Sequence, residues 1–263
     1  MKSNFYKAII VSSLITFSFQ AAAQLDITPE DKQKFVQTYQ KAVKKDALAQ
    51  YQLAQMYFSG LGVLQNFNNA RLWANEAAKN GNADGYALLA DINLLSDSYF
   101  SQELADARKY ATKAVEMGST RGKISLAESL INPIAGKTDY QQSIELLNEV
   151  NALNNPDYFI APILLGVIYL DGKGVAKDEK QAQQWFDKAN EMTYPGYAEW
   201  MAAFRFSEDN TGTVTIDQVK AKKLREIAWR FALIPKLRRC CWFFCVDRTC
   251  LFDSFNGFKC MIH

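Results

Sequence analysis

Histidine is nearly missing from this 263-residue sequence: the one copy is the last residue, His263. Cysteine is missing from the first 239 residues, with all five copies at Cys240, Cys241, Cys245, Cys250 and Cys260. No G-x-S-x-G elbow, S-x-x-K, H-E-x-x-H, P-loop or dinucleotide fingerprint occurs, so the signatures of common hydrolase, metalloprotease and nucleotide chemistry are absent. Long apolar runs are missing as well. The longest, AIIVSSLITFSF at residues 8–19, falls short of the roughly 20 residues that span a bilayer. What remains is an ordinary globular balance, 49% hydrophobic and 22% charged, enough to build a real core.

The apolar run follows Lys2 and Lys7 and precedes Ala21, Ala22 and Ala23, an Ala-x-Ala cleavage pattern before Gln24. Residues 1–23 therefore read as a secretory signal peptide, and no cysteine lies near the cut to accept a lipid. The expected product is exported, periplasmic or secreted, beginning near Gln24, without stable membrane insertion. Its charge is uneven: residues 24–219 carry 18 Lys/Arg against 25 Asp/Glu, whereas 220–239 carry eight basic residues and one acid. A basic helix attracts nucleic acid or anionic lipid, but an exported chain rarely meets nucleic acid. The expectation is no nucleic-acid partner and a solvated basic face complementing an acidic body.

The chain repeats itself. YFSGLGV at residues 57–63 and YLDGKGV at 169–175 match without a gap, and the register continues through Ala70 and Ala182, Trp73 and Trp185, Ala77 and Ala189. Fainter copies follow. At a shift of 36 to 37, Ala90, Ile92, Ala107, Tyr110 and Ala114 answer Ala54, Met56, Ala70, Trp73 and Ala77. Leu126, Ala127, Leu130, Leu146 and Val150 carry a third copy, and Ala198, Phe206, Leu224 and Ala228 a fifth. Positions i, i+4 and i+8 in each half form one apolar stripe at the helical period, so each copy predicts two helices. Gly60 and Gly172 stand where the first helix stops, where a positive φ satisfies its last carbonyls; Gly62 and Gly174 allow the tight reversal. Tyr57, Trp73, Tyr169 and Trp185 fall on the apolar stripes and read as structural.

The pattern Ala-x3-Leu-Gly-x2-Tyr-x2-Gly-x-Gly-Val followed by Ala-x2-Trp-x3-Ala, best preserved in APILLGVIYLDGKGVAKDEKQAQQWFDKA, resembles the Sel-one-like repeat family, a relative of tetratricopeptide arrays, of the exported bacterial type. The resemblance implies an all-α fold, a right-handed α-solenoid of about five antiparallel helix pairs whose first helices line a concave surface. It also implies an interaction scaffold in the bacterial envelope, or secreted, rather than an enzyme. The expected layout is a signal peptide at 1–23, a helical cap at 24–45, repeats at 46–234 and an atypical Cys/aromatic tail at 235–263. Some cysteine-rich members are linked to cell-wall or β-lactam binding, with a cysteine pair in each repeat. These repeats contain none, so an envelope enzyme or cell-wall ligand binder stands as the alternative.

Other constellations weigh less. SEDNTGTVTIDQ at residues 207–218 imitates an EF-hand loop but has Ser207 and Gln218 where the first and last acidic ligands belong, and it reads as the fifth hairpin turn. Asp171 and Glu179 could form an acid pair, although solvated hairpin charges account for them. The tail spacing is not a zinc pattern; its loss of helical period fits an altered reading frame or a truncated array, or else a disulfide-stapled cap. The expectation is no metal, no cofactor and a monomer that binds a protein or peptide of unknown identity. Opposite the buried stripe, helical geometry predicts a recognition ladder of Gln52, Leu88, Ser125, Leu164 and Met201 beside Gln55, Asp91, Glu128, Val167 and Phe204. Its last two rungs, Leu164, Val167, Met201 and Phe204, should form an exposed apolar patch, with Asp91 and Glu128 selecting basic neighbours, unless Trp242, Phe243 and Phe244 of the tail cover it.

Overall fold

The computed structural model describes residues 27–95, 101–208, 217–232, 250–251 and 259–260. The expected signal segment, most of the basic and Cys-rich tail, and residues 209–216 of the EF-hand-like stretch lie outside these. Eleven α-helices are described: α1 (Pro29–Ala42), α2 (Ala47–Ser59), α3 (Phe67–Lys79), α4 (Ala83–Leu94), α5 (Ser101–Glu116), α6 (Thr120–Ile131), α7 (Tyr140–Asn151), α8 (Ile160–Asp171), α9 (Glu179–Met192), α10 (Tyr197–Glu208) and α11 (Gln218–Ala232). A short 3-10 turn, Pro156–Tyr158, precedes α8. The strands β1 (Cys250–Leu251) and β2 (Lys259–Cys260) pair antiparallel. After α1, the helices form five pairs whose first members begin at 47, 83, 120, 160 and 197, the spacing of an all-α, α-solenoid-type repeat. They fall into two compact blocks, one ending at Val150 and the other beginning at Asn151.

The helices start where the sequence supplies a cap. Asp46, Asn66, Asn82, Ser119 and Asp178 each accept the backbone N–H three residues on with their side chains, satisfying one orphan donor of the first turn. At the corner of the first and fourth pairs, Gly60 and Gly172 take φ of 77° and 79° and close the helix by donating to Met56 O and Ile168 O. The following glycines are less alike. A Cβ on Gly62 would stand 2.3 Å from Asp31 O, because the corner is pressed against the start of α1, whereas Gly174 is exposed.

One bond recurs regardless of glycine. The N–H of the residue that opens the second helix donates to a carbonyl near the end of the first: Asn66 to Tyr57 (2.8 Å), Asp139 to Leu130 (2.9 Å), Asp178 to Tyr169 (3.0 Å) and Asp217 to Phe206 (3.0 Å). The side chains of these same four residues cap Asn69, Gln142, Gln181 and Lys220. Each of them thus locks the corner and starts the next helix. In the third pair, which lacks the double glycine, Asn132 Oδ1 accepts from the N–H groups of Ile134 and Ala135, and Arg108 reaches over from α5 to donate to Ser129 O and Lys137 O.

Alanine sets the packing distance. Ala70, Ala74, Ala77 and Ala78 of α3 meet Tyr51 and Ala54 of α2 and Leu88, Leu89 and Ile92 of α4 in one cluster. In the C-terminal block, Ile163, Val167 and Leu170 of α8 cluster with Phe186 of α9, with Ala198, Ala202, Ala203 and Phe206 of α10, and with Ala221 and Leu224 of α11. Each second helix packs on its own first helix, α7 doing so through Leu146 and the bond from Ser143 Oγ to Ala127 O. In the first, second and fourth pairs it also packs on the next first helix, while α2, α4 and α6 lie side by side in the N-terminal block and α8 and α10 in the C-terminal block. Gly166 shows how tight this is: a Cβ there would meet Phe186 at 2.3 Å.

Two glycine substitutions separate the causes. Gly60→Ala adds the left-handed backbone penalty alone, since its nearest neighbour is at 3.5 Å, and should cost about 1 to 2 kcal/mol in urea unfolding. Gly62→Ala carries that penalty and the collision with Asp31 O, so it should cost more than Gly60→Ala. Equal losses would contradict the close approach of α1.

Candidate functional site: the open face of the first helices

In the N-terminal block the side-by-side first helices leave one face uncovered by the other described residues. On α2, Gln52 is exposed and Gln55 half-buried; on α4, Asp84 and Asp91 are half-buried; on α6, Arg121 and Glu128 are half-buried. These residues are polar because the helices bury nearly everything else. In α4, for example, Ala87, Leu88, Leu89, Ala90, Ile92 and Asn93 are all buried.

The polar side chains are tied to one another across the row. Arg121 Nε and Nη2 both donate to Asp91 Oδ2, at 3.1 and 2.9 Å, and Ser125 Oγ donates to Asp91 Oδ1 at 2.5 Å. Ser119 Oγ donates to Asp84 Oδ1 at 2.5 Å, and Gln55 Nε2 to Tyr51 Oη at 2.7 Å. Asp91 beside it, with smaller contributions from Tyr51 and Asp84, pushes the Arg121 pKa well above the ordinary guanidinium value, against the opposing pull of burial. Asp91 fixes the Nε–Nη2 edge of the guanidinium, and the side chain stays 33% exposed. The result is an oriented cation on an amide-bearing face, able to take a peptide carbonyl or a carboxylate. Among the described residues no group of three or more His, Cys, Asp or Glu side chains is placed to hold a metal ion.

The ladder expected from the sequence is only partly open. Gln52, Gln55, Asp91 and Glu128 do reach the uncovered side of their helices, but Leu88 and Ser125 are buried. Asp91 is committed to Arg121 and Ser125, so it orients a cation of its own chain and is not left to choose basic residues on a partner. The expected apolar patch is not on the surface. Leu164 and Val167 are each 0% exposed, and Met201 is partly buried against the C-terminal cluster; the Phe204 side chain lies outside the described residues. The reason is that α8 is apolar all round, with nine of its twelve residues buried. Ala202 and Ala203 let α10 pack close, and Val167 joins their cluster. A helix with no polar face is covered on every side, so its 164/167 positions are core.

The aromatic repeat positions are all partly buried. Tyr57 sits edge-on to Phe35 at 5.4 Å and Trp73 edge-on to Tyr39 at 5.9 Å, both rings supplied by α1. Tyr169 packs on the C-terminal cluster, and Lys188 lies over the Trp185 ring at 5.8 Å. The four corner glycines, Gly60, Gly62, Gly172 and Gly174, all take positive φ. Sequence reasoning missed Arg121, and the signal was faint: one basic residue in the first turn of a degenerate repeat, 30 residues from its carboxylate.

The burial and the ion pair can each be measured. Val167→Asp would bury an unpaired carboxylate and should cost about 3 kcal/mol or more in chemical unfolding; a folded variant of near-normal stability would contradict the covered α8. A double-mutant cycle on Arg121→Met and Asp91→Leu should give a coupling of roughly 1 kcal/mol that shrinks with added salt. A coupling of zero would mean that Asp91 does not hold the guanidinium.

Comparison with known proteins adds relatives to this geometry. The family model described as Sel1 repeat matches residues 47–82 and 163–194, the first and fourth helix pairs. The Sel1-repeat-containing protein YjcO of Escherichia coli strain K12 is 36% identical over 185 residues, covering 70% of this chain and 78% of that protein. The YjcO protein of Shigella flexneri matches to the same extent. The crystal structure of a Sel1 repeat protein from Klebsiella pneumoniae subsp. pneumoniae superposes with a TM-score of 0.67 at 32% identity, covering 74% of this chain and 92% of that one. On the repeats, their corners and these relatives, the chain belongs to the Sel1 repeat family.

Proposed function

We propose that this protein is an exported scaffold that binds another protein or a peptide along the open first-helix face of its N-terminal block. The family supports the general role, since repeat arrays of this kind work as interaction surfaces. The observation that carries the reading is Arg121, one-third exposed and held in place by Asp91, with Gln52 exposed on the same face. A guanidinium already oriented by its own chain loses little freedom when it meets a partner's carbonyl or carboxylate. Side-chain amides such as Gln52 offer both a donor and an acceptor, the complement of an extended peptide backbone. Export rests on the leader-like residues 1–23 and the Ala-x-Ala pattern before Gln24. No helix among the described residues is long and apolar enough to cross a membrane.

Cell fractionation with intact-mass analysis tests the first half: a chain beginning near Gln24 should appear in the periplasm or the medium. A photo-crosslinker tests the second. Placed at Gln52 it should give a discrete heterologous adduct in cells, weakened by Arg121→Gln, whereas the same group at Lys109, exposed on the second helix α5, should not. Equal labelling at both positions, or none at Gln52, would contradict the assigned face.

A further inference from the structure

The two well-formed corners of this chain are an internal control on each other. They align residue for residue and share a backbone: Gly60 and Gly172 take φ of 77° and 79°, and Gly62 and Gly174 take 73° and 75°. Their side chains differ. The fourth-pair corner carries Lys173, Ala176, Lys177, Asp178 and Glu179, with Lys177 and Glu179 paired in solvent at 2.9 Å. The first-pair corner has Leu61, Leu64, Gln65, Asn66 and Phe67 at the same places, and Leu61, Leu64 and Phe67 are 41%, 49% and 46% exposed. The turn's backbone does not need those apolar side chains, because the same corner forms with charges among their counterparts, and only Phe67 of the three has a ring partner, Phe58 edge-on at 5.6 Å. Leu95, also exposed, follows the end of α4; α4 runs alongside α2 and so brings it to the same edge.

We infer that this corner is a bilayer-contacting tip, with Leu61, Leu64 and Phe67 dipping into the lipid interface without spanning it. Two features favour lipid over a protein occupant. First, the exposed apolar surface is small, a few side chains where a standard protein interface buries about 800 Å² on each partner. Second, residues 56–70 contain no charged side chain. The corner's own polar residues are Gln65, Asn66 and Asn68, which lipid headgroups solvate, and charged residues come beside it at the start of α1, where Gly62 lies against Asp31 O. The inference extends the export reading but is measured separately from it.

The test is vesicle co-sedimentation of the processed chain, residues 24–263, with intact mass reporting leader removal on its own. The comparison is a variant carrying the fourth-pair corner, L61K/L64A/Q65K/N66D/F67E, which leaves net charge unchanged; a second variant, L61S/L64S, removes apolar surface without adding charge. Wild type should bind phosphatidylcholine vesicles and phosphatidylcholine–phosphatidylglycerol vesicles alike. The grafted corner should weaken binding by about tenfold or more, and L61S/L64S should weaken it too, with circular dichroism unchanged in both and melting temperature unchanged in L61S/L64S, which keeps the Phe67–Phe58 contact and the Gln65 bond to Phe58 O. Several results would overturn the inference: no binding by wild type, undiminished binding by either variant, or binding that needs phosphatidylglycerol, which would point to the basic C-terminal segment. Self-association of wild type that the graft abolishes would likewise overturn it, making the corner a protein interface.

Discussion

Closure of the hairpin corner is the interaction on which the rest of the fold depends, because a helix ends with carbonyls that have no partner and the next helix begins with N–H groups in the same condition. Here one residue serves both ends: its N–H donates back to the first helix while its side chain caps the second. That fixes where the second helix starts and the direction it takes. Alanine at the crossing points then allows the two helices, and the next pair, to approach closely. Once the corner and the alanines are set, the remaining surface positions are free to vary, which is why the first and fourth corners can share a backbone while differing in their exposed side chains.

The repeat is legible in the sequence because its demands are local. Gly60, Gly62, Gly172 and Gly174 mark positive φ, and the spacing of Ala, Tyr and Trp marks the helical stripe, so the helix pairs and their number can be read directly. The corners without the double glycine are harder. Their common element is Asp139 or Asp217, and a single acidic residue has too many other uses to stand out. Arg108, which closes the third corner from the preceding pair, is out of reach for the same reason: its partners are backbone carbonyls 21 and 29 residues away, and any sequence supplies those.

The recognition face shows the limit of periodicity. A helical stripe assigns an inside and an outside, and that holds for α2, where Gln52 is exposed. It fails for α8, because a helix hemmed in by neighbours has no outside. Leu164 and Val167 carry the warning in their own chemistry: an apolar residue at a nominally open position more often means a covered position than an exposed contact. Asp91 is the complementary case. Its charge is visible in the sequence, but the guanidinium that claims it comes from the next repeat, and only packing brings α4 and α6 together.

Corner closure is common to four helix pairs and independent of glycine. Hydrogen exchange at the amides of Asn66, Asp139, Asp178 and Asp217 tests this most directly, since each of these N–H groups sits in a turn yet is bonded into a helix end. All four should exchange slowly, like amides within the helices, including Asp139, whose corner lacks the double glycine. Exchange of Asp139 and Asp217 at the rate of open turn amides, with only Asn66 and Asp178 protected, would contradict it and make the glycines, not the shared bond, the cause of the fold.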